Sequence, residues 1–306
     1  MHGPHRTRTR TLALAVAAAA AVALAACAPT TPSAPTTTAP GARTVSNATF
    51  EWTISREADN GSFAPGQVNY WSAGQSDSTQ STYVPTNGNA TVLKKNASGT
   101  YVPIGSEAAV GWANRNKDGA GNTVTATNAF FLGQKVRYAN GTGTVNPSTG
   151  AATIQWTGTF TVNFYGQYVP FWIVNPKLTV NPGGAAKLTA TLGGYASSID
   201  TPDVRTPLTP VANVVIAEFA NVWAGGSTAT GFTSATRYVG TAVTTPAEAP
   251  QVAKTTTNQS YWGAWPQAFV NFQNATGLGT YWYTSGGTAD AKKPQEPVRV
   301  AYTLDP

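Results

Sequence analysis

The sequence predicts an all-β fold, an antiparallel β-sandwich-like domain with one or two short helices, on the basis of two observations. Between positions 154 and 164, apolar residues and one glycine occupy the even positions, while threonine, glutamine and asparagine occupy the odd ones. Because successive side chains of a strand point to opposite faces, this alternation predicts a half-buried strand, bent at Gly158, whose threonine face meets water. Strand-like runs also recur about every 8 to 12 residues with turn signals between them, which favours an all-β architecture over a βαβ fold.

The other elements are assigned in chain order from the same signals. Strands are predicted at 50–54, 92–93, 101–104, 136–138, 168–174, 178–180, 188–192, 214–219 and 298–302. The sequence Asn-Pro-Gly-Gly at 181–184 is typical of a turn, and it joins two of these strands into an antiparallel hairpin. Residues 264–272 have a proline near their start and apolar residues at helical spacing, which predicts one short helix.

The N-terminal 26 residues have the features of a bacterial lipoprotein signal peptide. Three arginines precede an apolar run at 12–26 that is too short to span a bilayer, and the run ends in Leu-Ala-Ala followed by Cys27, the single cysteine of the chain. This resembles a lipobox, so we expect lipidation at Cys27 and an extracytoplasmic protein held by membrane lipid on the outer face of the cell membrane. An ordinary secretory cleavage site beside an incidental cysteine is the alternative.

Composition then divides the rest of the chain into two parts. Residues 27–45 are rich in proline and threonine, which predicts a disordered tether, and residues 46–306 are long enough to form the β domain. Three of the 19 lysines and arginines lie in the signal, so 16 remain against 13 acidic residues. This modest excess gives no argument for a nucleic-acid partner.

The residues that remain after the signal peptide exclude several kinds of catalysis. Both histidines and the single methionine lie within the first five residues, so the predicted domain has no histidine, cysteine or methionine. Ser-His-acid and Cys-His catalysis and histidine or thiolate zinc sites therefore cannot form. Carboxylate pairs such as Glu57 with Asp59 could in principle hydrolyse glycosides, but no pair stands out, and we expect a protein that is not an enzyme.

Several segments resemble, in order, the HtaA family, the haem-transport-associated domains of corynebacteria and related high-GC Gram-positive bacteria. They are FEW at 50–52, WTGTFTVNFYG at 156–166, IVNPKLTV at 173–180, GGAAKLTATLGGY at 183–195, VVIAEFA at 214–220, AFVNF at 268–272 and SGGTADAKKPQEPVRVAYT at 285–303. The resemblance implies a surface protein that binds haem and passes it to a haem transporter or another surface haem protein. It also implies a tyrosine ligand shortly after the first strand and a histidine after the long central strand.

The chain departs from the family at both ligand positions. It has Asp-Asn-Gly at 59–61 with Phe63 just beyond, and Tyr-Gly-Gln-Tyr at 165–168. A tyrosinate can hold ferric haem by itself, so a haem-iron tyrosinate is the single kind of metal site that we expect. The candidate ligand-binding residues are Tyr70, Trp71, Tyr165 and Tyr168. Candidate cations for the haem propionates are Arg56, Lys135 and Arg137.

A second hypothesis from the same residues is a non-catalytic envelope or adhesion module in which the haem ligands have been lost. Such a module would bind a protein or a wall glycan through its polar faces and exposed aromatic side chains. The aromatic candidates for this surface are Tyr261, Trp262 and Trp282.

Overall fold

A computed structural model describes residues 41–63, 67–198 and 201–306. The predicted signal peptide, Cys27 and most of the predicted tether lie outside the described residues. The first strand begins at Arg43, so the last three residues assigned to the tether belong to the sheet. None of the helices in the described ranges has both the length and the apolar character needed to cross a bilayer.

The described part of the chain forms 13 strands and one α-helix. The strands are β1 (Arg43–Trp52), β2 (Tyr70–Ala73), β3 (Thr86–Asn87), β4 (Ala90–Lys95), β5 (Tyr101–Pro103), β6 (Gln134–Val145), β7 (Ala152–Gln155), β8 (Thr159–Phe164), β9 (Val169–Val180), β10 (Ala186–Ser198), β11 (Thr201–Phe219), β12 (Gly231–Ser234) and β13 (Val298–Ala301). The helix α1 is Gln267–Thr276.

All of the pairings between these strands are antiparallel, and they form one large branched sheet in the order β11-β10-β9-β7-β6-β1-β13-β12. In one branch, β8 pairs with β9 and β2 pairs with β8. In the other, β4 pairs with β6, and β3 and β5 pair with β4. The predicted all-β, sandwich-like fold class is confirmed. The predicted hairpin at 181–184 is also present, between β9 and β10.

The predicted bend at Gly158 divides the central stretch into β7 and β8. Gly158 has a φ of 126°, a backbone conformation that side chains with a Cβ rarely adopt. A Cβ at this position would also lie 2.4 Å from the Asn87 carbonyl oxygen. Glycine is therefore required here by both the backbone angle and the close approach of a neighbouring chain.

The expectation that the threonine face of this stretch meets water is wrong for β8. Thr161 and Asn163 are fully buried, because the segment that follows β2, the strand beside β8, covers this face with Gly74, Ser76 and Ser78. The Thr161 hydroxyl donates a hydrogen bond to the Gly74 carbonyl at 2.6 Å, and the Asn163 side-chain amide donates to the Tyr70 carbonyl at 3.2 Å. Buried polar groups are stable when they are paired in this way.

The helix packs an aromatic cluster against the sheet. Pro266 has an extended ψ of 142°, so α1 begins after it, later than the predicted start at 264, and it ends before Gly277 in the left-handed conformation. The Phe269 ring on this helix stacks on Trp265 at 4.5 Å, and Trp265 meets Trp282 edge-on at 4.9 Å. All three rings are buried, so this cluster is a rigid base for the surface next to it.

Candidate functional site

A pair of tyrosines lies at the turn that joins β8 to β9. Tyr165 follows β8 directly, and its hydroxyl is hydrogen-bonded to the hydroxyl of Tyr281, which lies in a short 3-10 turn after α1. Both side chains are half-buried. Tyr165 has a φ of 56°, and such a left-handed conformation costs a bulky residue on the order of 1–3 kcal/mol. Strained residues of this kind concentrate at functional sites.

The core holds both tyrosine rings in place. The Phe164 ring lies 5.3 Å from Tyr281 and 5.5 Å from the buried Trp282. The Tyr165 backbone N–H donates to the Asn69 side-chain oxygen at 2.9 Å. The two hydroxyls are therefore positioned by packed aromatic rings on one side and by a buried amide on the other.

The surroundings keep both phenols protonated in the ligand-free protein. Burial raises the pKa of Tyr165 far above its ordinary value, and the hydrogen bond to Tyr281 and the nearby Glu57 carboxylate add to the increase. Burial also raises the pKa of Tyr281. A bound cation would reverse this balance, because a nearby positive charge stabilises a phenolate.

Glu57 is a buried carboxyl group beside this pair. The side chain is only 3% exposed, and burial raises its pKa to about 7, although the charges of Lys292 and Lys293 act in the opposite direction. Its Oε2 atom has no hydrogen-bond partner among the described residues. The Asn69 amide donates to the Glu57 carbonyl at 2.8 Å, so Asn69 connects the loop that carries Glu57 to the turn that carries Tyr165.

An exposed phenylalanine and a lysine border a cleft next to the tyrosine pair. Phe63 is 51% exposed, and its backbone N–H faces the Tyr165 hydroxyl, where it acts to lower the pKa of that phenol against the larger effect of burial. The cleft has a volume of about 450 Å³ and is lined by Phe63, residues 126–129, Thr288, Ala289 and Lys292. The structure thus places the loop at 59–63 against the turn at 165–168, the two segments at which the resemblance implies haem ligands.

The four predicted ligand-binding residues have different environments. Tyr165 and Tyr168 lie in the same turn and are both half-buried. Tyr70 is 3% exposed, its hydroxyl donates to the Ser78 carbonyl at 2.8 Å, and burial raises its pKa to about 12. Trp71 is fully buried, and its indole N–H donates to the Ala58 carbonyl at 2.8 Å. Tyr70 and Trp71 are therefore held within the core, whereas Tyr165 and Tyr168 are partly accessible, and the role of these four residues as ligand contacts stays a prediction.

Two of the three predicted propionate cations are already paired. Lys135 and Arg137 lie 3.4 and 2.6 Å from the buried Glu51 carboxylate, which Arg299 also approaches. The Arg56 guanidinium instead lies over the Phe131 ring at 4.3 Å. Sequence reasoning did not identify Lys292 or Tyr281 as site residues. Tyr281 belongs to one of three Tyr-Trp pairs in the sequence, at 70–71, 261–262 and 281–282, but its contact with Tyr165 depends on the tertiary fold.

A second cleft, of about 420 Å³, is lined in part by Ser55, Arg56 and Asp59 of the 55–59 loop. Its lining includes the rings of Tyr101 and Phe131, the cations Arg56 and Lys95, and three acidic side chains. One of these is Asp59, whose carboxylate accepts hydrogen bonds from the Gly133 and Gln134 backbone N–H groups, both at 2.9 Å, and whose pKa burial raises to about 6. In the described ranges, no group of three or more acidic, histidine or cysteine side chains could hold a metal ion.

The fold and these contacts define an all-β protein with a half-exposed tyrosine pair beside an open cleft. No protein-family model matches the chain, and no curated protein matches it either. Among solved structures, the chain is similar to the C-terminal domain of HtaA from Corynebacterium glutamicum, with a TM-score of 0.42 and 14% identity over 86% of this chain and 99% of that chain. It is also similar to the N-terminal domain of the same protein, with a TM-score of 0.37 and 11% identity over 86% of this chain and 100% of that chain.

Proposed function

We propose that the protein binds a flat, largely hydrophobic ligand, with haem as the leading candidate, at the tyrosine pair. The observation that carries the proposal is the contact between the hydroxyls of the half-buried Tyr165 and Tyr281, next to the exposed Phe63. The resemblance of the sequence to the HtaA family supports the same ligand. A protein of this kind would act in a haem uptake relay and would have no catalytic role.

The residues of the site fit a ferric haem by their chemistry. A tyrosine phenolate is an established axial ligand of haem iron, and the pair supplies two phenol oxygens. When bound, haem supplies the ferric ion that takes a phenolate oxygen, while the protein provides the position of that oxygen. Asn69 fixes the backbone of Tyr165, and one hydroxyl of the pair can donate a hydrogen bond to the other once the latter has lost its proton.

A haemin titration followed by absorption spectroscopy tests this proposal. We expect a saturable spectral shift with the purified protein at micromolar haemin and a weaker or altered shift in Y165F and Y281F. The control is Y261F, which removes the hydroxyl of a half-buried tyrosine outside the pair. An unshifted haemin spectrum, or equal shifts in all four proteins, would contradict the proposal.

Surface display through a lipid at Cys27 is part of the same proposal. Stable anchoring needs two or more acyl chains, which a lipoprotein cysteine can carry. We expect the protein to separate with the membrane fraction and C27S to separate with soluble proteins. Membrane association that does not change in C27S would contradict a lipid anchor at this position.

A specific feature also favours the second candidate function, a non-catalytic envelope module. The cleft beside Tyr101 contains both acidic and basic side chains. This suits a neutral glycan, because a glycan hydroxyl can donate a hydrogen bond to a carboxylate and accept one from a cation. Of the three aromatic candidates for that surface, Trp282 is not available because it is 1% exposed, whereas Tyr261 and Trp262 are half-buried. Retention of the protein on wall material, reduced in Y101A but not in Y165F, would support this function over haem binding.

A further inference from the structure

We infer that Lys292 makes this site selective for planar ligands that carry a carboxylate group, and this inference rests on the proposed function. The cleft beside the tyrosine pair is bordered by an apolar ring, Phe63, and by one amine, Lys292. The carboxylate that Lys292 would bind belongs to the end of the ligand away from the two phenol oxygens.

The amine of Lys292 has unused hydrogen-bonding capacity. Its Nζ atom donates to the Ala126 carbonyl at 2.9 Å. An ammonium group has three N–H donors, so two remain without a hydrogen-bond partner among the described residues and can serve a ligand that enters the cleft. The side chain is half-buried, so its amine is held at the wall of the cleft while part of it stays open to solvent.

The charge of Lys292 is also not neutralised by an ion pair. In the described part of the chain, the ion pairs within 4.0 Å join Lys135, Arg137 and Arg299 to Glu51, Lys187 to Glu218, and Lys293 to Asp290. Lys292 takes part in none of them. The nearby acid Glu57 is buried and lies beyond ion-pair distance, and Asp290 is already paired with Lys293.

A second cation increases the local positive charge. Arg56 and Lys292 both lie near the Phe131 ring, at 4.3 and 5.8 Å from its centre. Burial lowers the pKa of Lys292, and the charge of Arg56 lowers it further, while Glu57 raises it. An incoming carboxylate would relieve the repulsion between these two cations.

The groups of the site are thus arranged to match an amphipathic planar molecule. Phe63 and Lys292 both line the cleft, and the Tyr165 hydroxyl, which contacts that of Tyr281, lies next to the Phe63 backbone N–H. A ligand with an apolar ring system and a carboxylate on one edge could satisfy all three. A charge-assisted hydrogen bond of this kind changes affinity by about ten-fold.

The test compares protoporphyrin IX with its dimethyl ester, which has the same ring system but no free carboxylate. Both probes lack iron, so phenolate ligation cannot contribute. Fluorescence titrations would measure their affinities for the native protein, K292Q, K292R and K254Q, in which an exposed lysine outside the cleft is changed. We expect the native protein, K292R and K254Q to prefer the free acid about ten-fold, and K292Q to bind both probes within about two-fold.

The outcomes separate this inference from the proposed function. Equal affinity of the native protein for acid and ester, or an acid preference that persists in K292Q, would overturn the role of Lys292. Circular dichroism of K292Q and the charge-preserving K292R exclude a folding defect as the cause of a lost preference. The proposed function fails separately, if haemin binding does not depend on Tyr165 or Tyr281, whereas failure of both iron-free porphyrins to bind would overturn the role of Lys292 and leave that haemin test unaffected.

Discussion

The hydroxyl of Tyr165 is hydrogen-bonded to the hydroxyl of Tyr281, although 116 positions separate the two residues in the chain. The first tyrosine comes from the turn after β8, and the second comes from the short turn after α1. The pair therefore exists only when the helix segment has docked on the sheet. This makes the site a property of the complete domain.

The pair predicts non-additive effects on stability. Y165F and Y281F each remove the same hydrogen bond, so each should lower the free energy of unfolding by about 1 kcal/mol. The double variant should cost little more than either single variant, since the bond can be lost only once. Urea unfolding of the four proteins measures this, and additive losses would show that the hydroxyls do not interact in solution.

Because Glu57 and Asp59 are buried, we expect the domain to become less stable as the pH rises through the weakly acidic range. Burial raises the pKa of Glu57 from 4.5 to about 7 and that of Asp59 from 3.8 to about 6. Between these limits the unfolded chain binds fewer protons than the folded protein, so the free energy of unfolding falls with increasing pH, in total by a few kcal/mol. Above about pH 7 this contribution should no longer change.

The variant E57Q separates the two contributions. Its unfolding free energy should fall less steeply with pH than that of the native protein, because the contribution of Asp59 remains and ends near pH 6. Urea unfolding between pH 4.5 and 7.5 provides the measurement. If E57Q and the native protein have the same pH dependence, Glu57 does not titrate as a buried carboxyl group.

We expect the loss of the buried Glu51 carboxylate to lower the free energy of unfolding more than the loss of an acid from an exposed ion pair. Burial alone would raise the pKa of Glu51, but the hydrogen bond from Arg137 and the charges of Lys135 and Arg137 lower it below its ordinary value. E51Q leaves these cations without their partner and should cost about 1–3 kcal/mol. This contribution should be lost in the native protein as the pH falls below 4.5.

The control for this effect is E218Q. Glu218 pairs with Lys187 at 3.3 Å, but both side chains are substantially exposed, at 34% and 60%. Exposed pairs contribute about 0–1 kcal/mol, so E218Q should be nearly neutral. Equal losses in E51Q and E218Q would show that burial of Glu51 does not strengthen its ion pairs.

We expect a side chain at position 141 to overpack the core. A Cβ at this position would lie 2.3 Å from Nε1 of the buried Trp156, whose indole N–H donates to the Ala48 carbonyl at 2.9 Å. G141A should therefore lower the free energy of unfolding by about 1–3 kcal/mol. The control is G225A, because no atom lies within 4 Å of a Cβ built there. Similar thermal unfolding of the two variants would contradict the observed packing.

Much of the fold could be predicted from sequence because its signals are local. The alternation around Trp156, the turn at 181–184 and the proline before α1 each act within a few residues, and the corresponding elements are present. The burial of Thr161 could not be predicted in this way. Its polar face is covered by a segment that lies 87 residues away in the chain, at Gly74.

The site was predictable in part for the same reason. The candidates at 165–168 follow from the end of a strand, which is a local feature, whereas the partner hydroxyl of Tyr281 and the amine of Lys292 reach the site through the fold. The propionate candidates Lys135 and Arg137 pair instead with Glu51, which lies on another strand, β1. Charge pairs across strands are not visible in a single sequence.

Resonance Raman spectroscopy of the haemin-loaded protein detects a phenolate bound to ferric iron, so it decides whether the tyrosine pair holds the haem. We expect phenolate vibrations that shift when the protein contains ring-deuterated tyrosine and that disappear in the Y165F/Y281F double variant. A haemin-loaded protein without these vibrations, or one in which they persist in the double variant, would contradict the assignment of the tyrosine pair as the ligand site.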